Sequence, residues 1–124
     1  MRKVNLAEKL ASFSEHFSPR IVGELNGQQV KVVKFQGEFV WHHHEAEDEL
    51  FLVLGGGFRM GYRDEAGRQQ EMTVNQGEFV IVPRGMEHRP AAEEEVEILL
   101  FEPATTVNTG NVRGALTVDQ PERI

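Results

Sequence analysis

Apolar residues open the chain at helical spacing, Leu6, Leu10, Phe13 and Phe17, behind Asn5 as a cap and with Glu8 at the third helical position. This spacing predicts a short amphipathic helix over about residues 6–13. From Ile21 onward the pattern changes to short β-branched and aromatic runs broken by Gly, Asn and Asp, as in a sandwich or barrel. Asn26-Gly27 lies between Ile21-Val22 and Val30-Lys31-Val32-Val33, a signature of a tight hairpin because both turn residues tolerate positive φ. Further strands are predicted over residues 38–44, 50–54, 58–62, 69–74, 78–82 and 95–101. Glycine-rich or polar turns separate them at Gly55-Gly56-Gly57, Asp64-Glu65-Ala66-Gly67, Asn75-Gln76-Gly77 and Pro83-Arg84-Gly85. About eight strands with no helical pattern between them exclude a parallel sheet with crossover helices, and they favour a closed or doubled antiparallel sheet. Residues 102–124 have no clear period. Val107, Val112, Leu116 and Val118 give that stretch something to bury, so a tail wrapped on the barrel is favoured over a frayed end.

Length and composition narrow the function. A chain of 124 residues fits one domain. Twenty acidic against thirteen basic residues leave a formal charge of −7, which repels a phosphate backbone, so nucleic acid is not an expected partner. The absence of Cys removes disulfides, thiolate metal sites and thiol nucleophiles together, and any metal must be held by His and carboxylate. The longest apolar runs, Phe51 to Leu54 and Phe79 to Val82, are far shorter than a membrane span. Arg2 and Lys3 are not followed by an apolar block, so no secretory signal is expected and the cytoplasm is the default location.

Candidate chemistry sits in Trp41-His42-His43-His44-Glu45-Ala46-Glu47-Asp48-Glu49. On a strand His42 and His44 share one face and His43 takes the other. Glu49 opens the next run on the same face as Phe51 and Val53. If that face points inward, two imidazoles and a carboxylate without partners would each cost several kcal/mol, a cost that one divalent cation removes. A bare His-x-His is also the composition of a solvated polar bend. A second segment, from Gly77 through Pro83-Arg84-Gly85 to His88, ends a strand in a Pro-x-Gly turn and delivers one more imidazole.

Together the two segments resemble the paired motifs of the cupin superfamily. Gly37, His42, His44, Glu49 and Gly56 follow the order of the first motif, and Gly77, Pro83, Gly85 and His88 that of the second. Two departures stand out: only four residues separate Gly37 from His42, and Ala92 occupies the place of the second motif's Asn. The resemblance covers about residues 21–101. It implies an all-β fold, a cupin-type jelly-roll β-barrel with a short N-terminal helix (6–13) and a C-terminal extension (102–124), the whole chain forming one cupin domain. It also implies that His42, His44, Glu49 and His88 bind one divalent transition metal ion per chain, and Fe, Mn, Ni and Zn all suit such a donor set.

The resemblance implies a metal-dependent enzyme, a dioxygenase or an isomerase, acting on a small oxygen-rich molecule. The alternatives are a non-catalytic binding or sensing cupin with a structural metal, and a metal-free barrel. No separate general base stands out. His43 and His16 read as outlying residues, and Glu45, Glu47 and Asp48 as a solvated turn that could orient a ligand imidazole. Trp41, Phe51, Met60, Tyr62 and Phe101 read as packing residues that could line the pocket, and Arg59, Arg84 and Arg89 as candidates to pair with an anion. Strands apolar on both faces, Phe79 to Val82 and Val96 to Phe101, need a cover on the outside, as do Phe39 and Trp41 once His42 and His44 point inward. Cupins of this kind commonly pair back to back, so a homodimer is expected.

Overall fold

The computed structural model describes all 124 residues. Helix α1 (Leu6–Ala11) is followed by β1 (Arg20–Leu25), β2 (Gln28–Glu38), β3 (Glu49–Gly55), β4 (Gly57–Arg63), β5 (Gln69–Asn75), β6 (Phe79–Val82), β7 (His88–Pro103) and β8 (Glu122–Arg123). Asn5 caps α1, its side-chain oxygen accepting from the Glu8 amide at 3.1 Å. The helix ends before Phe13 because Ser12 turns both its hydroxyl and its amide onto the Lys9 carbonyl. Freed from the helix, the Phe13 ring packs under Arg20 and Lys34. The β1–β2 turn is the expected tight one, with φ of 50° at Asn26 and 78° at Gly27.

The strands form one sheet in the order β5-β4-β7-β2-β1-β8, with β3 joining β7 to β6. The long β7 is its spine: residues near its start pair with β4, its later half pairs with β3, and β2 runs antiparallel along most of its length. The interior faces of β2 to β7 share a single core built around Phe35, Phe51, Phe58, Val96 and Ile98, so the sheet folds over on itself. The class is all-β as expected, but the hydrogen-bonded path does not close into a barrel, because β5, β6 and β8 remain ends.

Residues 38–44 depart from their expected strand. They hold only one isolated bridge, His42 to His88. The β2–β7 register shifts at Phe35/Gly37, where Gly37 takes φ of 88°, and this break turns the Phe39 ring inward rather than outward, against Phe17 and His42. Residues 102–124 wrap on the sheet. Thr106 and Thr109 are buried, Asn108 bonds to the Leu116 carbonyl and Val118 amide at 2.8 Å each, and β8 pairs in parallel with β1.

The outer face of β3, β6 and β7 is apolar. Leu50 pairs with Ile81 and Phe101, and Leu52 with Phe79 and Leu99. Phe79 and Ile81 are 61% and 54% exposed, so this chain alone does not cover the face. No helix is long and apolar enough to cross a membrane.

Candidate metal centre

Strand parity brings Glu49 inside. It opens β3 in alternation with Phe51 and Val53, and all three are buried. His42 and His44 come from the segment before β3, and His88 begins β7 after the turn at Pro83-Arg84-Gly85. That turn is anchored where Gly85, with φ of 82°, donates its amide to the His44 carbonyl at 2.7 Å. His42, His44, Glu49 and His88 are all buried, and one ligand atom from each lies within 4.8 Å of all the others. The side chains expected to converge are therefore brought together in a group that can hold one metal ion.

The hydrogen bonds fix which atoms face the centre. His42 Nδ1–H donates to the Val40 carbonyl at 2.9 Å, and His88 Nδ1–H donates to the Met86 carbonyl at 2.8 Å. With Nδ1 donating, the neutral form of each ring presents a bare Nε2 to the centre, the tautomer a metal requires. His88 Nε2 and His44 Nε2 stand 3.3 and 3.4 Å from Glu49 Oε1. Both nitrogens of His44 are buried without a hydrogen-bond partner. Orphaned polar atoms of this kind are costly in a folded protein, and a bound ion removes the cost at Nε2.

Burial lowers the His42 imidazole to about 4, the neighbouring His88 adding to the effect, so His42 is neutral at physiological pH. Burial works to raise the Glu49 carboxyl, but the polar groups of Glu102, His44 and His88 beside it outweigh that effect and hold the group well below the ordinary carboxylate range. The centre offers three imidazoles and one carboxylate, a donor set suited to a divalent transition ion.

A feature the sequence reading missed lies behind Glu49. The β3–β7 register pairs Leu50 with Phe101, so the next residues along, Glu49 and the buried Glu102, are neighbours. Burial, then the Glu49 charge, push the Glu102 carboxyl well above its usual range. Lys31 Nζ donates to Glu102 Oε1 at 2.8 Å, both side chains being 2% exposed. The Lys31 ammonium thus lies behind the centre beside the two carboxyls and offsets their charge.

Of the other candidates, His43 points away and bonds Glu45 at 2.6 Å, while His16 bonds Glu95 at 2.7 Å. Asp48 pairs with Arg84 and Glu47 accepts from Thr105; the His42 and His88 imidazoles are oriented by backbone carbonyls instead. Arg59 and Arg89 pair with surface carboxylates, and the Trp41 ring packs against the Arg63 and Arg89 guanidiniums. Phe51 lines a narrow cavity beside the centre, whereas Met60 is core. The cavity reaches His42 and Glu49, and its other walls include Phe17, Phe35, Phe39 and Asn108.

Residues 29–102 match the family model described as Cupin domain. Over 82 residues, 66% of this chain, the sequence is 33% identical to the uncharacterized protein YdbB of Bacillus subtilis (strain 168), and the match spans 63% of that relative's length. The crystal structure of a cupin-2 domain containing protein from Shewanella frigidimarina superposes with a TM-score of 0.75 at 42% identity, covering 81% of this chain and 93% of that one. A hydroquinone 1,2-dioxygenase crystallised with Cd2+ and 4-hydroxybenzonitrile shares the fold, with a TM-score of 0.67 at 20% identity over 90% of this chain and 74% of its own.

Proposed function

Because this chain belongs to the Cupin domain family, we propose that it forms one cupin domain that binds a single divalent transition metal ion through His42, His44, Glu49 and His88. We read it as a metal-dependent enzyme of the oxygenase or isomerase type, working in the cytoplasm as a homodimer on a small oxygen-bearing molecule. The observation that carries the reading is the convergence of four buried donors, with His44 left unpartnered in their midst.

A divalent ion held there supplies Lewis acidity, and a redox-active ion supplies oxygen chemistry. The protein's own part is positioning and exclusion of water. Val40 and Met86 set the two imidazole tautomers, Glu102 and Lys31 support the ionised Glu49, and the cavity walls present an apolar surface to whatever reaches the centre. The hydroquinone dioxygenase that shares the fold was crystallised with Cd2+ and a phenol, which supports metal-centred chemistry as the first reading.

One observation favours a second reading, a binding cupin without turnover: beyond His42 and Glu49, no titratable side chain lines the cavity. The two are separated by assaying metal-loaded protein for oxygen uptake and product formation on catechols, diketones and enediols. Turnover that His44→Ala abolishes without unfolding the chain supports the enzyme. Silence on the whole panel, together with a melting temperature that falls when the metal is removed, supports the binding module.

A further inference from the structure

The cavity beside the proposed metal centre differs from what an oxygen-rich substrate calls for. It is about 40 Å³ and narrow. Apart from His42 and Glu49, its only polar side chain is Asn108, and both polar ends of that amide are already committed to Leu116 and Val118. No Lys or Arg lines it. The nearby buried ammonium of Lys31 is engaged by Glu102, and that of Lys34 by the Phe13 carbonyl. Polyols need hydrogen-bond partners and phosphates need cations, and the walls offer neither. Water in this space also lacks partners away from the centre, so an apolar body displaces it at little cost.

Phe17 closes the space. Its ring stacks on Phe35 with centroids 5.3 Å apart and on Phe39 at 5.0 Å. Its backbone is left-handed, with φ of 56°, a conformation that costs a bulky residue of order 1 kcal/mol or more and persists only where the surroundings impose it. The segment between α1 and β1 carries it, and its amide donates to the Lys34 carbonyl at 2.8 Å. The chain is strained here in order to place an aromatic ring over the cavity.

We propose that the ligand of this site joins a chelating oxygen head to an uncharged, apolar body, and that Phe17 is the specificity-determining residue that limits the size of that body. The proposal rests on the reading of His42, His44, Glu49 and His88 as a metal site. Its test uses three hydroxamates with the same chelating head: propionohydroxamate with an ethyl body, β-alanine hydroxamate ending in an ammonium, and benzohydroxamate with a phenyl ring. Metal content is measured first, and each compound is then titrated calorimetrically into loaded wild type, Phe17→Ala and Phe17→Leu.

The wild type is expected to bind propionohydroxamate at least about tenfold more tightly than β-alanine hydroxamate, and Phe17→Ala to gain about tenfold or more for benzohydroxamate while changing less than about threefold for propionohydroxamate. Phe17→Leu, which retains an apolar side chain, is expected to gain less and carries the test if the alanine variant does not fold. Equal or tighter binding of the ammonium compound overturns the apolar body, and benzohydroxamate affinity unchanged in both variants overturns the role of Phe17. Protein that takes up no ion at all overturns the metal reading and this inference with it.

Discussion

His42 and His88 exchange both backbone hydrogen bonds, His42 N–H to the His88 carbonyl at 3.1 Å and His88 N–H to the His42 carbonyl at 2.9 Å, and their rings lie 4.2 Å apart. The two histidine segments, 46 positions apart in the chain, are thus fixed to one another by main chain rather than by their side chains. Removing an imidazole should leave the frame standing. His88→Ala is expected to abolish stoichiometric ion binding while changing the stability of the metal-free protein by no more than about 2 kcal/mol in a urea melt, since the truncation also relieves crowding among buried polar rings.

The C-terminal stretch clamps the same segment from outside. The His43 amide donates to Asn111 Oδ1 at 2.8 Å and the Asn111 amide donates to the His43 carbonyl at 3.1 Å. Gly110 lies against that carbonyl with φ of 56°, and a Cβ there would collide with the oxygen. Gly110→Ala should destabilise the protein by about 2 kcal/mol or more and weaken ion binding together with it, measured by thermal melting and metal titration.

The buried Lys31–Glu102 pair predicts a non-additive mutant series. Lys31→Met leaves the Glu49 and Glu102 carboxyls without their cation and is expected to cost about 3 kcal/mol or more. Lys31→Met combined with Glu102→Leu should recover a large part of that loss. A loss in the double variant equal to the sum of the Lys31→Met and Glu102→Leu losses would show that the pair is not coupled.

Stability of the metal-free protein should depend on pH through His42. Its folded-state value of about 4 lies below the unfolded value near 6.5, so between those limits the unfolded chain binds more protons and stability falls as pH drops. The contribution is complete above about pH 6.5 and amounts to roughly 3 kcal/mol lost by pH 4. Denaturant melts of the metal-free protein across this range measure it, and a His42→Gln variant should show a flatter profile.

The exposed Phe79 and Ile81, beside Leu50, Leu52, Leu99 and Phe101, form an apolar patch of a kind that soluble monomers rarely leave open. Light scattering at micromolar concentration should give a dimeric mass for wild type and a monomeric mass for Ile81→Lys. A monomeric wild type contradicts the pairing.

What could be read from the chain, and what could not, follows from the range of the interactions. Alternation alone placed His42 and His44 on one face and Glu49 beside Phe51, because parity on an extended segment is a local property. Asn26-Gly27 specified its own turn for the same reason. Phe39 escaped because the alternation breaks at Gly37, and a register shift depends on the partner strand. Lys31 and Glu102 did leave a signal: Lys31 shares parity with Val33 and Phe35, and Glu102 with Ile98 and Leu100, an interior position for opposite charges on paired strands. Phe17 and Asn108 left none, since each reaches the cavity from a segment outside the β2–β7 sheet core, placed there only by tertiary contacts.

Whether three imidazoles and one carboxylate bind a common ion is decided by an anomalous-difference map, from crystals of untagged protein grown after purification without chelator. A single strong peak is expected in coordination distance of His42 Nε2, His44 Nε2, His88 Nε2 and a Glu49 carboxylate oxygen. A map without a peak there despite added divalent ions, or one showing any of the four side chains turned to another part of the molecule, would contradict a common site.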